Sequence, residues 1–247
     1  MSDAQIRDEL VEYARQLAAR GWVANHDGNI TYRLDDGTFL ATPTSTAKAR
    51  VSLESLLVID DQGGKVGPAG GKPFSESSLH LAVYAARPDV RAVVHAHPPA
   101  ATGYAVAGVG LDVPFLAEAV VSLGPGIPTV PFAAPGTSAA AALAPYLEEH
   151  DAVLLGNHGV LTWGADLEQA YLRMELVEHL AKVALVAHQL GGVRALPAAV
   201  LPTLGEARAK AGLGTSGRGG AASTAAPARA ELGSIIREEI ARALRDA

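Results

Sequence analysis

The chain has 247 residues, of which 49% are hydrophobic and 19% charged, with a formal net charge of −6 and no cysteine. This length suits one large domain or two small ones and is enough to bury a core. Without cysteine the chain has no disulfides, thiolate ligands or nucleophilic thiols, so a metal site must use histidine, carboxylate or backbone oxygen. The acidic balance argues against a nucleic-acid-binding surface, which needs clustered lysine and arginine.

The sequence gives no sign of a membrane segment or a secretion signal. Its apolar runs are shorter than the roughly 18–20 residues that span a bilayer. The N-terminal stretch MSDAQIRDELVEYARQLAARG is charged throughout and lacks the apolar centre of a signal peptide. We therefore expect a cytoplasmic protein with neither membrane nor nucleic-acid partners.

Helical and strand patterns alternate in the first part of the chain. Apolar residues at intervals of three and four predict an amphipathic helix over 3–20. Asp36-Gly37, between alternating apolar residues, predicts a β-hairpin, and the turn at 61–64 predicts a second. A further helix is predicted over 75–87, where a proline follows.

The later part of the chain carries three more elements. RAVVHAH at 91–97 is rich in β-branched residues and predicts a strand, and 152–164 reads as strand, turn and strand. A long helix with one apolar face is predicted over 166–190. Helices and strands without strict alternation predict an α/β fold, an αβα sandwich around a mixed, largely antiparallel central sheet.

Composition changes sharply near the C-terminus. We predict a domain over 1–212, then a flexible linker over 213–229 that is rich in Gly, Ser, Ala and Pro. Residues 230–247 predict an amphipathic helix, since apolar residues recur there every four positions. A short helix on a tether is marginal in water, so it should need a partner surface.

Three histidines form the strongest chemical signal. His95 and His97 should point to the same face of a strand, with Cα atoms about 6–7 Å apart, so that both can reach one metal ion. His158 follows a separate apolar strand, in the turn GNHG. Three imidazoles that leave a coordination position open suit catalytic zinc. From spacing alone, these residues could equally be ordinary core or surface histidines.

Glu76 and two polar loops are weaker signals. Glu76 begins the helix before the histidine strand, where it could act as a base beside a metal or simply favour the positive end of the helix dipole. The loops at 27–31 and 42–46 are rich in hydroxyl, amide and backbone donors that can hold an oxyanion. Ordinary turns are the alternative for both loops.

Taken together, these segments resemble the class II aldolase/adducin family. GNIT, ATPTSTAK, SESSLHLAVYAARPDVRAVVHAHP and LLGNHGVLTWG occur in family order over about residues 5–195. The resemblance implies Zn²⁺, or another divalent cation such as Mn²⁺, held by His95, His97 and His158. It makes Glu76 the catalytic acid/base. The residues that it places near the substrate phosphate are Asn29, Thr44, Ser45 and Ser75.

The resemblance also implies an activity. A lyase of this kind would cleave a ketose 1-phosphate such as L-fuculose 1-phosphate into an aldehyde and dihydroxyacetone phosphate, through a metal-stabilised enediolate. The alternatives on this scaffold are a sugar-phosphate 4-epimerase, a decarboxylase, a dehydratase or a non-catalytic adducin-like scaffold. A homotetramer with sites near subunit interfaces is the expected assembly.

Several residues depart from the family pattern. Phe74 stands where the aldolases commonly have a second phosphate-binding serine, and Ser45 stands where they have glycine. Phe115 lies near the position of the family's catalytic tyrosine and cannot donate a proton, whereas Glu118 close behind it is interpreted as a surface residue. A substrate with a carboxylate in place of the phosphate is therefore an alternative.

The C-terminal extension carries a second resemblance. A tether followed by an amphipathic helix is similar to the encapsulation peptides of bacterial microcompartment cargo enzymes, which bind shell or cargo proteins through their apolar face. That resemblance implies a location inside a microcompartment. The alternative is that residues 230–247 pack on the enzyme's own oligomer.

Overall fold

An eight-stranded sheet forms the centre of the molecule. The computed structural model describes residues 2–214 and residue 241. The strands are β1 Asn29–Arg33, β2 Phe39–Ala41, β3 Leu57–Ile59, β4 Lys65–Val66, β5 Ala92–Ala96, β6 Thr129–Val130, β7 Ala152–Leu155 and β8 Gly159–Gly164. Their order is β4-β3-β2-β1-β5-β8-β7-β6. Among neighbouring strands in the described residues, β6 and β7 alone are parallel. The predicted mixed, largely antiparallel sheet is confirmed.

Helices cover both faces of this sheet. They are α1 Asp3–Ala19, α2 Ser77–Ala86, α3 Pro99–Ala107, α4 Ala117–Leu123, α5 Thr137–Leu143, α6 Leu167–Gln189 and α7 Leu201–Lys210. Buried residues of α1, α3 and α6 share one core with Ile30 and Val94, whereas those of α2 and α5 share the other with Val93 and Trp163. Successive β5 residues thus serve opposite cores, as strand geometry requires. The predicted αβα sandwich is confirmed.

The strongly patterned elements match the predictions, and the short ones were missed. Both predicted hairpins form, as β1–β2 and β3–β4. Helix α2 begins at residue 77 instead of 75. Sequence analysis did not identify α3, α4, α5, α7 or β6, because these segments are short or alanine-rich and lack clear periodicity. Apart from residues 213, 214 and 241, the predicted linker and C-terminal helix lie outside the described residues. None of the helices described is long and apolar enough to cross a membrane.

The register around β5 brings the chemical residues to one end of the sheet. β5 pairs with β1 on one side and β8 on the other, which places Asn29 opposite His95. The turn between β7 and β8, which contains His158, lies at the same end as the last residues of β5, because β5 and β8 are antiparallel. Pairing across three strands therefore brings together residues that are distant in sequence.

The buried carboxylate of Asp151 joins helices α6 and α7 to the part of the sheet that contains β7. Asp151, which is 1% exposed, lies 2.9 Å from Arg87, 3.0 Å from Arg173 and 2.8 Å from Arg208. Burial raises the pKa of Asp151, but the three guanidinium groups outweigh burial and hold the pKa below its usual value. Because Arg208 lies on α7 and Arg173 on α6, this ionised group anchors both helices beside β7.

We expect Asp151→Asn to lower the free energy of unfolding by about 3–5 kcal/mol, because it leaves three buried cations without their shared counter-charge. Chemical denaturation would measure the change. Asp35→Asn is the matched control, since Asp35 pairs with Arg91 at the surface and is 90% exposed in its side chain. That variant should unfold almost as the wild type does. Equal, small effects of both changes would show that the buried cluster contributes little.

Candidate metal centre and active site

Three histidines converge where β5 ends. His95 lies within that strand, His97 follows it, and His158 lies in the β7–β8 turn. One nitrogen from each ring lies within 4.8 Å of the others, and Nε2 of His95 is 3.0 Å from Nε2 of His97. The structure therefore brings together the three residues predicted as metal ligands. Their role as ligands stays a prediction.

Hydrogen-bond partners assign which ring nitrogens carry protons. Nδ1 of His95 lies 2.9 Å from the carbonyl oxygen of Val160 and must donate to it. Nδ1 of His97 faces Oδ2 of Asp27 at 3.4 Å, which favours a proton there as well. With protons on both Nδ1 atoms, the two Nε2 atoms would point lone pairs at each other across 3.0 Å. A cation relieves that repulsion, and a carbonyl or carboxylate behind each imidazole is the usual arrangement in metal sites.

Burial favours the neutral rings that bind metals. His95 is fully buried, whereas His97 and His158 are partly exposed. Burial lowers the pKa of His97 to about 4, assisted by positive charge on His95 and His158 and opposed by Asp27 and Glu76. A histidine with that pKa is neutral at pH 7 and does not need to lose a proton to bind an ion. The donor set, three imidazoles, fits zinc.

Glu76 faces the histidines instead of the helix that it precedes. It is the N-cap residue of α2, but its side chain makes no capping hydrogen bond. Its Oε1 lies 2.7 Å from Nε2 of His158, and its Oε2 accepts a 2.7 Å hydrogen bond from Asn29 and lies 3.5 Å from Nε2 of His95. The helix-dipole explanation does not account for this orientation. The carboxylate is instead held beside the candidate metal ligands.

Glu76 is held in its ionised form. Burial raises its pKa, but hydrogen bonds with His158, His95 and Asn29, together with positive charge on His95, outweigh burial and move the pKa well below its usual range. An ionised carboxylate in this position can accept a proton from a substrate group near the histidines.

Gly28 and Gly159 allow the turns before β1 and β8 to lie close to the histidine strand β5. Gly28 has φ +72°, and a Cβ atom there would lie 2.6 Å from Cγ1 of Val23 and 2.9 Å from the carbonyl oxygen of His95. A Cβ atom at Gly159 would lie 2.5 Å from Cδ2 of His97. Both contacts are too short for a side chain, so glycine is required where the β1 turn and the β8 turn meet the histidine strand.

The residues predicted to bind phosphate are not all brought together. Asn29 contacts Glu76, and its buried Oδ1 has no partner in the structure, so it remains free to accept a substrate hydrogen bond. Ser75 is exposed and directly precedes Glu76. Thr44 and the exposed Ser45 lie in the loop after β2, and no hydrogen bond in the described part of the chain connects their side chains to the histidines.

Ser45 retains the backbone conformation of the glycine that it replaces in the family pattern. Its φ is +55°, in the left-handed region that glycine adopts freely and other residues adopt at a cost of about 1–2 kcal/mol. The loop therefore has a shape that suits glycine, although the residue is serine. The substitution alters the side chain offered by the loop without altering the path of its backbone.

The other departures from the family pattern lie outside the histidine cluster. Phe74 is buried with its ring against His80, at 5.2 Å between centroids. Phe115 is partly buried and packs on the core, and Glu118 is exposed on α4, as predicted. Within this protomer neither Phe115 nor Glu118 supplies a proton-transfer group to the histidines.

Sequence analysis missed one wall of the site. A cavity of about 140 Å³ adjoins Glu76 and His158. Its other residues are Leu79, Ala139, Leu155–Asn157 and the loop segment Val130–Ala133 with Pro135. Phe132 in that loop is 69% exposed. The proline-rich loop carries no chemical motif, so only its position beside the histidines identifies it as a substrate-facing wall.

Comparison with known proteins places the chain in a family. Residues 8–185 match the family model of the class II aldolase and adducin N-terminal domain. The chain belongs to this family. The resemblance inferred from the ordered motifs is confirmed, and so is the fold that it implied.

Individual relatives with different reactions are about equally similar. The 3-oxo-tetronate 4-phosphate decarboxylase of Haemophilus influenzae is 34% identical over 189 residues, covering 74% of this chain and 88% of the relative. The L-fuculose phosphate aldolase of Methanococcus vannielii is 31% identical over 175 residues, covering 71% of this chain and 93% of the relative. The crystal structure of YgbL from Klebsiella pneumoniae matches with a TM-score of 0.76 at 31% identity, and the match covers 83% of this chain and 99% of YgbL.

We expect Gly159→Ala to weaken binding of Zn²⁺ by about tenfold or more, because the new methyl group would displace His97 from its place beside His95. Titration calorimetry or competition with a zinc chelator would measure the affinity. Gly103→Ala is the control, since Gly103 lies in α3 and a Cβ atom there meets nothing within 4 Å. Zinc affinity that is unchanged in Gly159→Ala would argue against His97 as a ligand.

Proposed function

We propose that this chain is a divalent-metal-dependent lyase that breaks a carbon–carbon bond beside the keto group of a sugar phosphate. The observation that carries the proposal is the ionised Glu76 carboxylate, 2.7 Å from His158 and 3.5 Å from His95, beside a cluster of three imidazoles. We propose zinc as the ion, with Mn²⁺ as the alternative, because imidazole nitrogen suits zinc.

Each part of the site has a separate task in this proposal. An ion held by His95, His97 and His158 would act as a Lewis acid towards the substrate oxygens and stabilise the negative charge that develops on them. Glu76 delivers a proton to the carbon atom that has lost its leaving group; in aldol cleavage it first takes that proton from the substrate hydroxyl, and in decarboxylation from water. Asn29 fixes the Glu76 carboxylate through its side-chain amide and offers its free Oδ1 to the substrate.

Two reactions on this site share one intermediate. Loss of CO₂ from a 3-oxo-tetronate 4-phosphate leaves the enediolate of dihydroxyacetone phosphate. Loss of an aldehyde from a ketose 1-phosphate leaves the same enediolate. In aldol cleavage the hydroxyl proton taken by Glu76 balances the proton returned to carbon, whereas decarboxylation releases no proton, so the proton added to carbon comes from water. The reactions therefore differ in the group that leaves.

We rank decarboxylation first and aldol cleavage, the reaction favoured by the motifs alone, second. Relatives named as decarboxylases are 33–34% identical to this chain, one named as a dehydratase is 32% identical and one named as an aldolase is 31% identical, so identity separates these reactions only slightly. Chemistry adds an independent argument. Aldol cleavage must remove a proton from the hydroxyl on the breaking bond, whereas a carboxylate leaves as CO₂ without that step. Phe115, near the position of the family's proton-transferring tyrosine, cannot transfer a proton, and this lack disfavours aldol cleavage more than decarboxylation.

Product analysis tests the ranking. Zinc-loaded protein is supplied separately with 3-oxo-tetronate 4-phosphate and with L-fuculose 1-phosphate, and CO₂, aldehyde and dihydroxyacetone phosphate are measured. We expect equal amounts of CO₂ and dihydroxyacetone phosphate from the first substrate, at a rate well above that from the second. Products from the ketose phosphate alone would reverse the ranking. Metal-loaded protein that converts neither compound would favour the adducin-like scaffold.

We expect Glu76→Gln to lower turnover by about 10²–10⁴-fold, because the amide cannot carry the proton between oxygen and carbon. Metal content, measured by atomic absorption on the same sample, should stay at the wild-type level. Glu149→Gln at the exposed surface serves as the control. Full activity of metal-loaded Glu76→Gln would remove Glu76 from the mechanism.

The assembly and the C-terminal extension remain proposals from sequence. We propose a homotetramer, and for residues 230–247 either an encapsulation peptide that brings the enzyme into a bacterial microcompartment or a contact within the oligomer. The basis is the tether at 213–229 followed by a regular apolar stripe.

A further inference from the structure

Lys48 is a buried cation beside the candidate site that the proposed reaction does not yet use. The residue is 2% exposed and follows the loop that contains Thr44 and Ser45. Its Nζ donates hydrogen bonds to the carbonyl oxygens of His26, at 3.2 Å, and Thr46, at 3.0 Å. Both partners are neutral, so the ammonium charge is not neutralised by the groups that bind it.

No ion pair joins Lys48 to a carboxylate among the residues described. Burial lowers its pKa to about 8, and the charges of Asp27 and Glu76 oppose that effect from a greater distance. The side chain therefore remains mostly protonated at pH 7. A buried ammonium group without a paired anion is costly, and an apolar side chain of similar size would fill the space at lower cost.

The two carbonyl partners belong to segments that flank the site. His26 directly precedes Asp27, which faces His97 at 3.4 Å. Thr46 follows Thr44 and Ser45, whose loop is the predicted oxyanion-binding segment. Lys48 thus joins the turn behind the histidines to this loop and places a positive charge beneath both.

We propose that Lys48 is a positioning residue for the phosphate group of the substrate. It holds the 44–46 loop against the 24–28 turn, and its charge attracts the phosphate that the loop receives. The anion then supplies the counter-charge that the folded protein lacks around Lys48. This inference rests on the proposed function, because it assumes a phosphorylated substrate at the histidine cluster.

The test compares two enediolate mimics that differ by one phosphate group. Phosphoglycolohydroxamate and glycolohydroxamate are titrated calorimetrically into zinc-loaded, full-length wild type, Lys48→Gln and Lys48→Arg. Glutamine retains N–H donors for the two carbonyls and removes the charge, whereas arginine retains the charge. We expect Lys48→Gln to weaken the binding of phosphoglycolohydroxamate by about tenfold or more, because the charge interaction with its phosphate is lost. Binding of glycolohydroxamate should stay within about twofold, and Lys48→Arg should recover part of the loss.

A matched control separates charge at the site from charge in general. Lys65 also donates to two backbone carbonyls, those of Pro68 and Gly70, but it is exposed on β4. Lys65→Gln should bind both compounds as the wild type does. Zinc content and thermal unfolding are measured for every variant, and Lys48→Met replaces Lys48→Gln in the comparison if the latter does not fold.

The outcomes distinguish this inference from the proposed function. Three results for Lys48→Gln would overturn the role of Lys48 while leaving the lyase proposal intact. They are an equal loss of affinity for both hydroxamates, a loss of bound zinc, and unchanged affinity for both hydroxamates. Wild-type protein that binds zinc but neither hydroxamate would overturn the proposed function and this inference with it. Wild type that binds both compounds equally would show that the phosphate is not recognised, which overturns the role of Lys48 and leaves the lyase proposal with an unphosphorylated substrate.

Discussion

The close approach of two imidazole nitrogens is the constraint on which the rest of the site depends. Nε2 of His95 and Nε2 of His97 lie 3.0 Å apart, and the oxygen atoms that face their Nδ1 atoms favour protons there and lone pairs on Nε2. Two lone pairs at that distance repel each other unless a cation lies near both. The fold holds them there through the Val160 carbonyl, the Asp27 carboxylate and a turn in which only glycine fits at position 159.

The groups around the histidines also determine the ionisation state of the Glu76 carboxylate. Burial alone would favour the neutral acid, yet the hydrogen bond from Asn29 and the contacts with His158 and His95 keep the carboxylate ionised. An ionised carboxylate can accept a proton at neutral pH and can donate one only after it has accepted one. A residue that must both accept and return a proton is well served by partners that hold its position in both states.

The family supports several reactions because they share their difficult step. In the proposed mechanism, decarboxylation and aldol cleavage both place negative charge on an enediolate, and an ion held by the three histidines would stabilise that charge. What distinguishes the reactions is the group that leaves. The cavity beside Glu76 is walled on one side by the apolar loop around Phe132, which has no counterpart among the chemical motifs.

The sequence by itself determined the parts of this protein that local patterns encode. The His-x-His pair on a β-branched strand, the two hairpins and the long helices α1 and α6 all follow from spacing and turn residues within a few positions. Ordered motifs then assigned the family and the candidate ligands. Short alanine-rich helices such as α5 lack such a pattern and were missed, because their position depends on packing against the sheet.

Only the tertiary structure decided which residues are partners. The Asn29–Glu76 hydrogen bond joins residues 47 apart, and the His95–Val160 bond joins residues 65 apart. These pairs depend on strand register and on the close approach of turns, which no local spacing encodes. The same holds for Lys48, because nothing in the neighbouring sequence distinguishes it from an ordinary surface lysine. Its burial beneath two backbone carbonyls arises from how the folded loops meet.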